Sequence, residues 1–166
     1  MFKSVVSKLG GSKKESIISP VTGEVVDLTE VPDPVFSEKL MGDGIAIIPS
    51  LGEVCSPVDG EVVQIFETKH AISIRSEKGL EIILHIGLET VNLKGKGFKS
   101  YVKENKKVKA GDKLISFDLD LIKSEGYNLI TPLVLVNMDE KVKKIDKKLD
   151  KKSIAVGDIV MEVKLK

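Results

Sequence analysis

The chain holds only two histidines, His70 and His85, and both fall inside Val/Ile-rich runs. A neutral imidazole carries one N–H and one lone pair, so it can serve as nucleophile, metal ligand or hydrogen-bond donor. Between the two, RSEKGL supplies a turn at Ser76 to Gly79. A symmetric two- or four-residue loop there pairs Arg75 with Leu80, Ile72 with Ile83, and His70 with His85. Directly opposed residues have β-carbons about 4.5–5.5 Å apart, so the imidazoles are expected to touch. Alternation then sets Thr68, His70, Ile72 and Ile74 beside Ile83, His85 and Gly87 on one apolar face. Two adjacent imidazoles cannot both be charged cheaply, so at least one is expected to stay neutral near pH 7 with a free ring nitrogen.

Three uses of such a pair compete. The plainest is packing, as two half-buried histidines of a core. A catalytic metal generally takes three protein ligands, and the sequence offers two histidines with no H-x-H, no HExxH and one cysteine. That cysteine, Cys55 in EVCSPVDG, has no histidine near it in sequence and reads as packing. The third use is phosphoryl transfer through one imidazole while its neighbour donates a hydrogen bond to the incoming group. This chemistry rests on positioning and charge stabilisation, and it fits a chain without a P-loop or GxGxxG turn. An apolar collar would exclude water from the phosphorylated intermediate.

The elements that must position these residues read as strands. GEVVDL, GIAII, GEVVQIF, AISIR and LEIILHI are separated by Gly, Pro, Asp and Ser turns, without long helical patterns between them. Two motifs occur twice: SPVTGEVV at Ser19–Val26 returns as SPVDGEVV at Ser56–Val63, and VKAGDKLISFDL at Val108–Leu119 is echoed by IAVGDIVMEVKL at Ile154–Leu165. A further Ser/Thr-Pro start opens TPLVLVN at Thr131. Such repeats predict an all-β fold, an antiparallel sandwich or barrel assembled from two related halves.

Helix is minor. DLIKSEG is expected to make one turn ended by Gly126. NMDEKVKKIDKKLDKK carries helical signals, with Asn137 as N-cap, Glu140 three positions on, and Val142, Ile145 and Leu149 as a narrow stripe. Residues 1–16 are set apart by GGS and a lysine pair and are expected to form a flexible tail, although Phe2, Val5, Val6 and Leu9 fall at helical spacing. Residues 17–166 are then one domain. The 166 residues are 42% apolar, enough for a core. Lys plus Arg total 26 against 25 acidic residues, a balance that gives no electrostatic footprint for nucleic acid. One cysteine forms no internal disulfide, and no stretch is apolar enough for a signal-peptide core, so a cytoplasmic protein is expected.

GDGIAI, SPVDG, FETKHAISI, ILHIGLETV, LKGKGF and TPLVLVNMDE together resemble the glucose-type IIA component of the bacterial phosphoenolpyruvate-dependent sugar phosphotransferase system, from about Ile18 to the C-terminus. The resemblance implies a small cytoplasmic β-sandwich, monomeric and without a cofactor. It would accept a phosphoryl group from the carrier protein HPr and pass it to the IIB domain of a sugar permease. Matched by motif, His85 in LHIG is the phosphorylated histidine and His70 in TKHA the second histidine that steadies the phosphoryl group. Thr68 would orient His70, and the carbonyl of Gly87 would hold His85. The resemblance further implies a hydrophobic partner face of Val35, Phe36, Leu40, Met41, Ile45, Phe66 and Ile83, with Asp33 and Glu89 on an acidic rim. Pro34 and Glu89 depart from the family's usual aliphatic residue and aspartate, which bears on partner selectivity. Regulated enzymes or transporters are further partners the resemblance allows. There zinc bridges the two histidines only together with a partner's glutamate, so none is required for transfer.

Two alternatives remain beside it. SPVxGEVV and VxxGDxL are also similar to lipoyl and biotinyl carrier modules, and Lys78 in SEKG sits at a hairpin tip as their modified lysine does, but without M-K-M around it. A zinc-dependent hydrolase of related β-fold would need ligands that the sequence does not supply.

Overall fold

The computed structural model describes residues 13–166. Among the described residues, fourteen strands are joined by a few short helices. They are β1 (Lys14–Ile18), β2 (Gly23–Asp27), β3 (Asp43–Pro49), β4 (Glu53–Cys55), β5 (Gly60–Ile65), β6 (Ala71–Ser76), β7 (Glu81–His85), β8 (Phe98–Ser100), β9 (Lys107–Val108), β10 (Lys113–Phe117), β11 (Thr131–Leu135), β12 (Val142–Lys147), β13 (Ser153–Ile154) and β14 (Ile159–Leu165). The α-helical turns are α1 (Pro34–Ser37), α2 (Leu119–Ser124) and α3 (Met138–Lys141), with 3-10 turns at Leu28–Glu30 and Thr90–Leu93. The larger sheet runs β13-β2-β3-β11-β7-β6-β5-β9, and two three-stranded sheets run β1-β14-β12 and β4-β10-β8. The strand pairings are antiparallel. This is the antiparallel sandwich expected.

The repeats in sequence are repeats in space. Around the central β11–β7 pair, the larger sheet reads outward as β3, β2, β13 on one side and β6, β5, β9 on the other. Ser19 and Ser56, both buried, make the same turn: each hydroxyl donates to the carbonyl two residues on, at Val21 and Val58, over 2.6 Å. In the Gly-Asp turns Asp112 accepts from the Lys109 amide and Asp158 from the Ala155 amide, each at 2.9 Å. The halves also clasp each other reciprocally, Ile18 N–H donating to the Pro57 carbonyl and Cys55 N–H to that of Pro20. TPLVLVN is no third copy: it forms β11, which pairs with β3 and β7 at the centre.

Period-two alternation gives the larger sheet two distinct faces. Ile45, Ile47, Ile72, Ile74, Ile82, Leu84, Leu133 and Leu135 point into the main core between the sheets. The opposite, outer face carries a second cluster in which Leu28, Val31 and Phe36 of the β2–β3 connection cover Ala46, Val134, Leu88 and Ile130. The connection therefore lies as a strap across the outer face.

Two expectations about elements are corrected. The run from Asn137 makes only the four-residue α3, and Val142–Lys147 continues as strand β12 paired with β14. Packing overrides a weak helical stripe here, because Val142 finds a buried place beside Leu165 while Lys143 and Lys144 face solvent on a sheet edge. The tail expected over residues 1–16 is shortened by β1, in which Lys14, Glu15 and Ser16 pair with Lys164, Val163 and Glu162. Residues 1–12, with Phe2, Val5, Val6 and Leu9, lie outside the described residues. The DLIKSEG turn forms as α2, and Gly126 follows it with φ 90°.

Candidate functional site

The β6–β7 hairpin differs from the expected register by one residue. Ser76 N–H bonds to the Leu80 carbonyl across a three-residue loop, Glu77–Lys78–Gly79, with Gly79 at φ 97°. Odd loops of this kind place the glycine in the left-handed region. Ala71 thus faces His85, Ile72 faces Leu84 and Ser73 faces Ile83. His85 lies on the outer face with Ala71, Ser73 and Ile83. Ile72 and Ile74, expected beside it, point into the main core instead.

His70 still reaches His85, because it precedes the first ladder residue of β6. Lys69, in the turn closed by Lys69 N–H to the Phe66 carbonyl, has φ 59° and breaks the alternation. His70 itself sits at a bend outside the β6 ladder, so strand parity does not fix its direction, and its ring lies against His85 on the outer face. The two departures offset each other. The imidazoles meet edge to face, with centroids 5.0 Å apart and planes at 82°. Phe66 flanks His70 at 5.6 Å and Phe36 flanks His85 at 5.3 Å.

Each ring is held at Nδ1. His85 Nδ1–H donates to the Gly87 carbonyl at 2.7 Å, which leaves Nε2 with the lone pair. His70 Nδ1 lies 2.5 Å from the Thr68 hydroxyl. Burial lowers the His70 pKa to about 4, with neighbouring His85 adding to the shift. Burial also holds His85 below the ordinary histidine value, against the Gly87 carbonyl and the Asp33 carboxylate, which favour its charged form. Both rings are therefore neutral at pH 7.

The strap supplies one wall. Asp33 caps α1 by accepting from the Val35 amide at 3.0 Å, and Pro34 takes the first helical position, where its fixed φ suits a helix start. Pro34 therefore fits the local fold. Phe36 is buried against His85, while Val35, Leu40 and Met41 are exposed by 41%, 68% and 36%. Phe66 and Ile83 are half-buried and Glu89 is exposed just past Gly87. Ile45 is a correction: it is fully buried in the main core and belongs to no surface. On β3 it is the neighbouring Ala46 that faces the strap.

Sequence reasoning missed the groups that hold the Gly87 carbonyl. The Leu88 amide donates to the Asn128 carbonyl at 2.9 Å, the Thr90 hydroxyl donates to the Ile86 carbonyl, and the Ile86 amide donates to the His70 carbonyl at 2.7 Å. The only signal was Asn128 two residues before Ile130, an Asx turn that the structure makes at 2.9 Å. Among the described residues no three His, Cys, Asp or Glu side chains cluster to hold a metal ion. Cys55 is buried, and burial pushes its thiol pKa up, as suits a packing residue.

Fold and site together define a class: a duplicated antiparallel β-sandwich with a two-histidine site on the outer face of its larger sheet. A family profile described as phosphoenolpyruvate-dependent sugar phosphotransferase system, EIIA 1, matches residues 15–141. The chain is 53% identical over 139 residues to the PTS system glucose-specific EIIA component of Bacillus cereus, covering 84% of each chain. It is 49% identical over 148 residues to the glucose-specific EIICBA component of Staphylococcus carnosus, which is 89% of this chain and 22% of that one. Glucose permease IIA from Mycoplasma capricolum superposes with a TM-score of 0.80 at 37% identity, over 91% of this chain and 96% of that one. The chain belongs to this EIIA family and has the role of a phosphocarrier in the sugar phosphotransferase system. The resemblance in the motifs is thereby established, and neither the lipoyl-type module nor the zinc hydrolase finds support.

Proposed function

We propose that His85 is the residue that carries the phosphoryl group, taking it from phospho-HPr and yielding it to the IIB domain of a sugar permease. The observation that carries this reading is the hydrogen bond from His85 Nδ1–H to the Gly87 carbonyl, which leaves Nε2 unprotonated and available. Nε2 attacks the phosphorus in line, the Nε2–P bond forms as the donor's N–P bond breaks, and the electron pair leaves with the donor imidazole. The Nδ1 proton stays on the His85 ring throughout, hydrogen-bonded to the Gly87 carbonyl. With the Thr68 hydroxyl donating to His70 Nδ1, the His70 proton sits on Nε2 and is offered to a phosphoryl oxygen. Transfer to the IIB domain reverses the same bond changes.

Phe36, Phe66 and Ile83 form the apolar setting, Val35, Leu40 and Met41 the exposed contact surface, and Asp33 with Glu89 the acidic rim that orients a basic partner. Among the described residues no helix is long and apolar enough to cross a membrane, which suits a cytoplasmic carrier meeting its permease at the membrane surface. The relatives' names make glucose the first sugar to assay. The test is incubation with phosphoenolpyruvate, the general phosphotransferase and HPr. Acid-labile label is expected on His85 and is lost in His85→Gln, whereas His70→Gln accepts label but transfers it poorly to the permease. Label on a serine or an aspartate would overturn the assignment.

A further inference from the structure

We infer that Lys147 is a positioning residue for transfer: its ammonium staples together the two roots of the strap that lays Asp33 and Phe36 beside His85. Lys147 Nζ lies 2.5 Å from Asp27 Oδ1 and 2.7 Å from Asp43 Oδ1. Asp27 is the last residue of β2 and Asp43 the first of β3, so these carboxylates mark where the chain leaves the larger sheet and where it rejoins it. Everything between them is strap. Lys147 itself ends β12, a strand of a different sheet, and among the described residues no other lysine bridges two carboxylates.

Each carboxylate is also built into its root. Asp27 Oδ2 accepts from the Thr29 hydroxyl at 2.6 Å and caps the 3-10 turn that starts the strap. Asp43 Oδ1 accepts from the Gly44 amide at 2.8 Å, and its Oδ2 meets Lys39 of the returning strap at 3.5 Å. The Lys147 side chain is only 15% exposed, unlike the neighbouring solvent-facing lysines of β12. Drawing a lysine out of water is costly unless it is fully paired, so this one is placed for its partners.

The staple acts at a distance from the chemistry. Asp43 pairs with Leu135 and Leu135 with Ile82, which sets that root about 10 Å along the strand direction from the level of His85; Asp27 pairs with Ile45, Ile45 with Leu133 and Leu133 with Leu84, which sets the other root three strands across the sheet from β7. From there the strap crosses the outer face until Phe36 meets the His85 ring. Without the ammonium, two half-buried carboxylates at the roots repel each other, and the strap loses the constraint that sets its position over His85.

This inference rests on the reading of Asp33 and Phe36 as part of the surface that receives the donor and acceptor proteins. The experiment compares wild type with Lys147→Met, Lys147→Arg and Asp43→Asn, reading kcat and KM for phospho-HPr and the nuclear Overhauser contacts between the Phe36 and His85 rings. In Lys147→Met we expect KM to rise about tenfold or more with kcat nearly kept, weakened Phe36–His85 contacts, and substantial rescue by Lys147→Arg. Should Lys147→Met not fold, Asp43→Asn carries the same expectation. Wild-type KM and wild-type ring contacts in a folded Lys147→Met or Asp43→Asn protein would overturn the staple, even with lowered stability. Failure of the wild-type protein to take phosphate from phospho-HPr would overturn the carrier assignment instead, and the ring contacts would still decide the staple.

Discussion

At the scale of the residue, the site is made by removing charge from two imidazoles and fixing their protons. Burial dominates both shifts, and for His70 the neighbouring ring adds to it. A histidine whose folded pKa is depressed is neutral in the folded protein while the unfolded chain already binds protons. Stability on this account is intact above the unfolded pKa of about 6.5 and falls as pH drops from there toward the folded value. For His70 that window ends at about 4. Long-range ¹H–¹⁵N spectra across a pH titration should place the His70 midpoint near 4 and the His85 midpoint below the ordinary histidine value. Phosphoryl acceptance should stay flat as pH falls from 8 through neutrality, since no proton has to leave His85. A His70 midpoint in the ordinary histidine range would remove the account of a buried neutral ring.

At the scale of the element, three connections converge on the histidines, and they differed in how legible they were. The Phe66–Lys69 turn is not legible in residue types, yet it leaves His70 at a bend outside the β6 ladder, where strand parity does not hold and its ring meets His85. The sequence reading of a two- or four-residue β6–β7 loop gives way to three residues in the structure, which suits the left-handed Gly79 and packing that needs Ile72 and Leu84 on the core face. The third connection, after β7, turns on Gly87. Its φ is 74°, and an added β-carbon would stand 2.7 Å from Thr90 Cγ2 and 2.9 Å from the Asn128 carbonyl oxygen. Gly87→Ala is therefore strained in backbone and in space, at a cost of about 1–3 kcal/mol, and it should move the carbonyl that holds His85. Lowered thermal stability is expected together with slowed acceptance and a mixed Nδ1-H/Nε2-H tautomer signal for His85. An unchanged single tautomer would show that the carbonyl is not what orients the ring.

At the scale of the whole molecule, the sandwich is two related halves clasped at their SPV turns, with the strap tied across sheets through Lys147. Partial burial pushes the Asp27 carboxyl up, but hydrogen bonds from Lys147 and Thr29 outweigh it and hold the pKa at about 2. A depressed carboxylate contributes stability that is present above its unfolded pKa, about 3.9, and is lost as pH falls through the folded value. The contribution is about 2 kcal/mol, lost between roughly pH 4 and pH 2, and chemical denaturation at those pH values should show that component missing in Asp27→Asn. Equal acid sensitivity in both proteins would place the loss elsewhere. The sequence by itself determined the central strands of the larger sheet, the duplication and the two histidines, since apolar alternation, Gly-Asp turns and rare residue types are local and survive in a string of letters. It also carried the family, through ordered motifs spread along most of the chain. What only the tertiary structure decided was parity and long-range pairing: which face each histidine occupies, that Ile45 is core, that the segment after Lys141 is a strand, and that Lys147 meets Asp27 and Asp43. Strand parity ends wherever the chain bends out of its ladder, and a lysine finds its carboxylates more than a hundred positions away only once two sheets have packed.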